Sequence, residues 1–186
     1  VESVTSDISK ASHTYTVSLL CPSPYFEDTT PGRVTVGGVV GGFTFPHVFT
    51  PVALGGECFG SFGTSRVFTV ENASASDEIG LTITLTAQGG AVRNPRFTHI
   101  QAGETLALGS AALPLILSDG ESITITTGRG EKRALDENGN SLLAYLTEDS
   151  EFITLRRGTN TITCSAQGGN SNIYAVFSWR LRYEGA

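Results

Sequence analysis

The run Leu81-Thr82-Ile83-Thr84-Leu85-Thr86 places an aliphatic residue at every odd position and a threonine at every even one. Successive side chains of an extended strand point to opposite faces, so this run demands a half-buried strand with an apolar side and a hydroxyl side. The pattern returns in Ser122-Ile123-Thr124-Ile125-Thr126 and in Thr161-Ile162-Thr163-Cys164-Ser165-Ala166. In the last run it puts Ile173, Ala175, Phe177, Trp179, Leu181 and Tyr183 on one face. No window carries an apolar stripe at helical spacing, and the 22 glycines interrupt most candidates. The chain is predicted to be all-β, with antiparallel strands.

The turn residues agree. Asp136-Glu137-Asn138-Gly139-Asn140 separates Lys132–Leu135 from Leu142–Leu146 and reads as a tight hairpin, because Asn-Gly accepts positive φ at both central positions. Arg157-Gly158-Thr159-Asn160 turns the chain between Phe152–Leu155 and Thr161–Ala166, and Asp119-Gly120 and Gln88-Gly89-Gly90 mark further turns. Such signals recur roughly every ten residues from about Ser65 onward, the spacing of a β-sandwich of roughly eight strands in two facing sheets. The first sixty or so residues differ. Tyr15-Thr16-Val17-Ser18-Leu19 reads as a strand, broken by Cys21-Pro22-Ser23-Pro24, and a glycine-rich stretch then carries Phe43, Phe45, Phe49, Phe59 and Phe62. Segments of that composition wrap over a neighbouring surface more often than they form a core. Residues 1–62 are therefore read as an N-terminal strand and extended connecting arm, and residues 63–186 as the sandwich.

Composition removes several functions. The net charge is −6 and lysine occurs only at Lys10 and Lys132, which argues against a nucleic-acid groove. No apolar run is long enough to cross a bilayer and no signal peptide is visible, so no membrane partner is expected. Charged residues are 16% of the chain, so threonine, serine and glycine supply the surface. Cys21, Cys58 and Cys164 include no C-x-x-C pair, so zinc is not expected and they read as small buried hydrophobes, with a single disulfide left open. The absence of methionine and the start at Val1 are read as the mark of processing or, by preference, of a piece cut from a longer protein.

Asp149, Ser150, Arg156 and Arg157 gather acid, hydroxyl and base in one short stretch, which raises the question of a catalytic centre. A nucleophilic triad needs a histidine, and His13, His47 and His99 sit in no motif, with no G-x-S-x-G elbow. Asp and Ser between apolar strands more commonly cap a turn. A glycosidase pair would need two carboxyls across a cleft, whereas Asp77, Glu78, Asp119, Glu121, Glu148, Asp149 and Glu151 fall at predicted turns. Asn72-Ala73-Ser74 is a formal glycosylation sequon, and Asp136–Asn140 is too short for a helix-loop-helix calcium site. The serious rival is a carbohydrate-binding module for host cell-surface attachment, with Tyr145, Tyr174 or Tyr183 as sugar platforms and His99 or Arg96 on the hydroxyls. By alternation Trp179 and Tyr183 fall on the core face instead. No catalytic residue and no cofactor is assigned.

The order of the motifs adds a resemblance. Val70-Glu71-Asn72 is followed by Gly80–Ala87, Asn94-Pro95-Arg96-Phe97 and Ala102-Gly103-Glu104-Thr105-Leu106. Next come Gly120-Glu121-Ser122-Ile123-Thr124-Ile125 and Gly130-Glu131-Lys132-Arg133, then Asp149-Ser150-Glu151-Phe152 with Leu155, Gly158, Asn160 and Ile162, and finally Arg182-Tyr183-Glu184-Gly185. Over about residues 66–186 the series resembles the C-terminal half of the siphophage distal tail proteins, which also occur in prophages and tail-like bacteriocins. That resemblance implies a galectin-like, jelly-roll-type sandwich attached to an N-terminal belt that forms a hexameric ring in the full-length protein. It also implies a place in the virion tail, assembled in the bacterial cytoplasm. The implied partners are further copies of the chain, the tail tube, tape measure, tail-associated hub and receptor-binding protein, with a cell-surface saccharide as the alternative. Under this reading Phe152, Leu155 and Ile162 are core, Gly158 and Asn160 make a turn, and Asp149 and Ser150 cap a strand. Arg156 and Arg157, with Phe43, Phe45 and Phe49 of the arm, are then the candidate interface residues.

Overall fold

The computed structural model describes residues 3–8, 13–18, 25–41, 60–62, 66–76 and 78–184. In chain order these hold β1 (Ser3–Ile8), β2 (His13–Ser18), β3 (Tyr25–Glu27), β4 (Gly32–Gly37), β5 (Val39–Gly41) and β6 (Gly60–Phe62). Next come β7 (Val67–Asn72), β8 (Glu78–Ile79), β9 (Thr82–Ala87), β10 (Val92–His99), β11 (Glu104–Ala107) and β12 (Ile116–Leu117). The chain continues with β13 (Ser122–Thr126), β14 (Arg133–Asp136), β15 (Leu155–Arg156), β16 (Gly158–Gly168), β17 (Ile173–Trp179) and β18 (Arg182–Glu184). Single 3₁₀ turns at Leu143–Tyr145 and Asn170–Asn172 are the helical pieces among the described residues.

Two antiparallel sheets carry the architecture. One runs β11-β10-β16-β7, with β12 also on β10, and the other runs β14-β13-β9-β17-β4. Their strands keep the alternation of the sequence. In β9, Ile83, Leu85 and Ala87 have no exposed surface, while Thr82, Thr84 and Thr86 stay half-buried on the outer side. Phe97 and Phe68 from the first sheet meet Phe177 from the second, with ring centroids 5.9 and 4.4 Å away. Edge-on and tilted ring pairs of this kind add to the gain from burial, which is about 1.5–3 kcal/mol for each such side chain. The core is therefore the seam between the sheets, as the alternation requires.

Four expectations need correction or refinement. β4 lies within the stretch read as an arm, yet Val36 is core and β4 pairs with β17 from Gly32↔Trp179 to Gly37↔Tyr174. The sandwich thus takes an edge strand from before residue 63. The 136–140 turn is present, but Gly139 alone of the Asn-Gly pair has positive φ (82°), and the chain continues into a bridge and a 3₁₀ turn instead of a strand. Asp136 explains this: its carboxylate accepts the Asn138 and Asn140 N–H groups at 2.9 and 2.8 Å and holds an Asx-type turn. Phe152 packs at the margin of the core, and Ile153 takes the fully buried place. Tyr183 is 43% exposed, because β17 ends at Trp179 and the chain resumes as β18 against β3.

Phe43, Phe45 and Phe49, together with Cys21, Cys58 and His47, lie outside the described residues.

Candidate functional site

The polar stretch 147–160 was the sequence's strongest hint of chemistry. Ser150 Oγ accepts the Ala107 N–H at 2.7 Å and donates to the Ala107 carbonyl at 2.8 Å. Its backbone joins in, since Ser150 N–H reaches Thr147 and Glu151 N–H reaches Thr105. The hydroxyl therefore completes the hydrogen bonding of β11 where no strand is available, and its proton goes to a backbone carbonyl and not to an imidazole. Asn160 does the same at the next bend. Its Oδ1 accepts the Arg156 N–H, and its Nδ2 donates to the carbonyls of Arg156 and Gly158, each at 2.7 Å. The bend itself falls at Arg157; Gly158, at φ 88°, and Asn160 already belong to β16, and Asn160 closes the bend through its side chain.

Arg156 is half-exposed and bonds Glu104, with Glu78 3.9 Å away. Arg157 is exposed, with no partner among the described residues. Glu104 lies opposite His99 across the β10–β11 ladder. His99 has no exposed surface and neither ring nitrogen has a hydrogen-bond partner. Burial pulls its pKa below the usual value. Glu104 opposes that shift and Arg156 reinforces it. Beside this group is a cleft of about 480 Å³ lined by Glu78, Glu104, Arg129, Lys132, Phe152 and Thr154, with Lys132 Nζ 5.4 Å from the Phe152 ring centre. It carries two carboxylates and two cations, so its formal charges balance.

Other candidates are distributed as follows. Tyr145 packs against the core, and its carbonyl accepts the Gly109 N–H. Tyr174 is half-buried on β17 opposite Gly37 and Thr86. Asn72 is buried and its amide donates to the Leu155 carbonyl, so the sequon side chain is part of the interior. Cys164 is a buried free thiol whose pKa burial pushes up to about 12, which removes thiolate chemistry. Among the described residues no three His, Cys, Asp or Glu side chains are grouped to hold a metal. Two residues have roles that differ from the sequence reading: His99, a candidate for sugar hydroxyls, is fully buried, and Trp179, read as core, packs against the core and also lines an outer cleft.

The sandwich and its polar stretch define a scaffold protein in which side chains replace missing ladder bonds. Residues 74–183 match the family described as siphovirus-type tail component, C-terminal domain, and the chain belongs to this family of siphophage distal tail proteins. The chain is also similar to the crystal structure of the phage SPP1 Dit (gp 19.1) protein, described as a paradigm of hub adsorption apparatus in Gram-positive-infecting phages. The two agree with a TM-score of 0.61 at 11% identity, over 97% of this chain and 57% of that one. This likeness is one of fold, and the chain spans 57% of the other's length. No curated protein matches the chain.

Proposed function

We propose that this chain is a structural component of a siphophage tail tip, joining the tail tube to the baseplate or receptor-binding apparatus. The observation that carries the reading is the family match over residues 74–183, on a sandwich whose polar cluster is committed to internal bonds. The family's role is structural, and no reaction is assigned to this chain. The proposed partners are further copies of it, in a hexameric ring when an N-terminal belt is present, and the tube, tape measure, hub and receptor-binding proteins of a virion tail assembled in the host cytoplasm. The proposed contacts are Phe43, Phe45 and Phe49 of the glycine-rich stretch and Arg157, with Arg156 limited by its bonds to Glu104 and Glu78. Interfaces favour such apolar anchors with polar rims.

The geometry of β5 and β6 offers a clean test. Gly41 pairs with Gly60, so residues 42–59 can be replaced by a two-residue hairpin turn without separating the strands. The shortened chain is expected to keep its cooperative unfolding and to lose co-assembly with the other tail-tip proteins. Retained co-assembly would remove those phenylalanines from the interface.

A further inference from the structure

Three adjacent strands of the second sheet bring a row of hydroxyls together. Ser178 of β17 lies opposite Thr82 of β9, and Thr82 lies opposite Thr126 of β13. The row opens on a cleft of about 370 Å³ that Trp179 and Glu131 also line. The volume is within the range of roughly 300–1,000 Å³ common to small-ligand sites. The indole of Trp179 rests directly on Gly32, where a Cβ would come within 2.6 Å of the ring. Only a glycine allows that approach, so β4 sets the ring's position.

The hydrogen-bonding capacity of the cleft is unevenly committed. The guanidinium of Arg180 donates to the carbonyls of Asp28 and Thr29. Arg182 pairs with Glu27 at 2.9 Å. The Thr126 hydroxyl donates to the Glu131 carbonyl. The Thr82 and Ser178 hydroxyls, the Trp179 indole N–H and the exposed Glu131 carboxylate have no partner among the described residues. The uncommitted set thus includes two hydroxyls, the indole N–H, one carboxylate and an aromatic ring, beside the remaining N–H groups of Arg180. An anion would meet the Glu131 charge, with Arg182 already paired to Glu27 and one arm of Arg180 held by backbone carbonyls. A ligand with several hydroxyls and an apolar C–H face would satisfy each group: the carboxylate accepts from ligand hydroxyls, the indole N–H donates, and the ring covers the C–H face.

We propose that the cleft beside Trp179 binds a neutral saccharide. This site is separate from Tyr145 and Tyr174, and its existence does not depend on the assembly role. Trp179 is the single tryptophan of the chain, so its emission reports on the cleft alone. The full chain is titrated with glucose, N-acetylglucosamine and their short oligomers, and with glucose 1-phosphate as the anionic comparison. A saturable change in emission is expected with at least one neutral sugar, and a weaker one or none with the phosphate. Glu131→Ala and Thr82→Val are expected to weaken binding about tenfold each, with unfolding midpoints near wild type, because both side chains face outward. Tyr174→Ala should leave the affinity unchanged. Trp179→Phe, followed by calorimetry, should weaken binding as well. No saturable change with any neutral sugar, full affinity in both Glu131→Ala and Thr82→Val, or preference for the phosphate would each overturn the proposal. Co-assembly with tail proteins, measured on the same variants, is expected to stay intact, which separates this site from the structural role.

Discussion

The hydroxyl of Ser150 forms both a donor and an acceptor bond with the backbone of Ala107, at 2.8 and 2.7 Å. A side chain here takes the place of a strand. Ala107 is 5% exposed, and the Ser150 hydroxyl is the acceptor its N–H loses on truncation. Its carbonyl keeps a second donor, the Thr147 N–H at 3.3 Å. Ser150→Ala is therefore expected to orphan one buried donor and to destabilise by about 1–3 kcal/mol. Urea unfolding should show a lower midpoint with an unchanged slope. An unaltered midpoint would mean that water replaces the hydroxyl.

Asn94 joins two effects that substitution can separate. It is the one non-glycine residue with positive φ (48°) among the described residues. Its amide donates to Gln167 Oε1 at 2.7 Å and its Oδ1 accepts the Leu115 N–H at 2.9 Å, tying the 108–115 excursion to β10. Asn94→Gly should keep the backbone conformation and lose the bonds. Asn94→Ala should lose both, and be less stable than the glycine variant by about 1 kcal/mol. Thermal melts of the pair measure that difference, and equal values would show that the backbone relaxes without strain.

Phe177 is the junction of the two sheets, packed between Phe68 and Phe97 and fully buried. Phe177→Ala should cost about 3–5 kcal/mol through lost burial and the cavity left behind. Phe177→Leu should cost less, since much of the volume remains. Chemical denaturation of both variants tests the order, and a reversed order would place the seam elsewhere.

His99 gives stability a pH dependence with a definite sign. Burial lowers its pKa in the fold below the usual 6.5, so the unfolded chain binds more protons at mildly acid pH. Stability is then fully present above about 6.5 and declines as pH falls from there through the folded value. The melting temperature should drop between pH 7.5 and 5.5, and the drop should be smaller in His99→Leu. Parallel declines in the two proteins would assign the effect to other groups.

Much of the candidate scaffold was legible in the sequence. Ile83, Leu85, Ile123, Ile125, Ile162 and Phe177 are core where the alternation placed them, because facing is a local consequence of strand geometry. The bend between β15 and β16 was readable from Gly158 and Asn160 for the same local reason, although both residues already belong to β16. Ile153 was hidden because residues 152–154 belong to no strand, so alternation did not apply to them.

What the sequence by itself determined is the class of the fold, the inward face of each long strand, and the motif order that places the chain among the distal tail proteins. Tertiary structure decided which strands are neighbours: β16 lies between β10 and β7, and β4 joins from a stretch that reads as an arm. It also decided the roles of single polar and aromatic residues. Ser150 meets Ala107, and Arg156 meets Glu104, across dozens of intervening residues. Tyr183 leaves the core face because β17 stops at Trp179, where Arg180 turns to grip the carbonyls of Asp28 and Thr29. The physical reason is one of range. A strand's alternation is set by its own backbone, whereas partners and strand ends are set by contacts with residues far away in the chain.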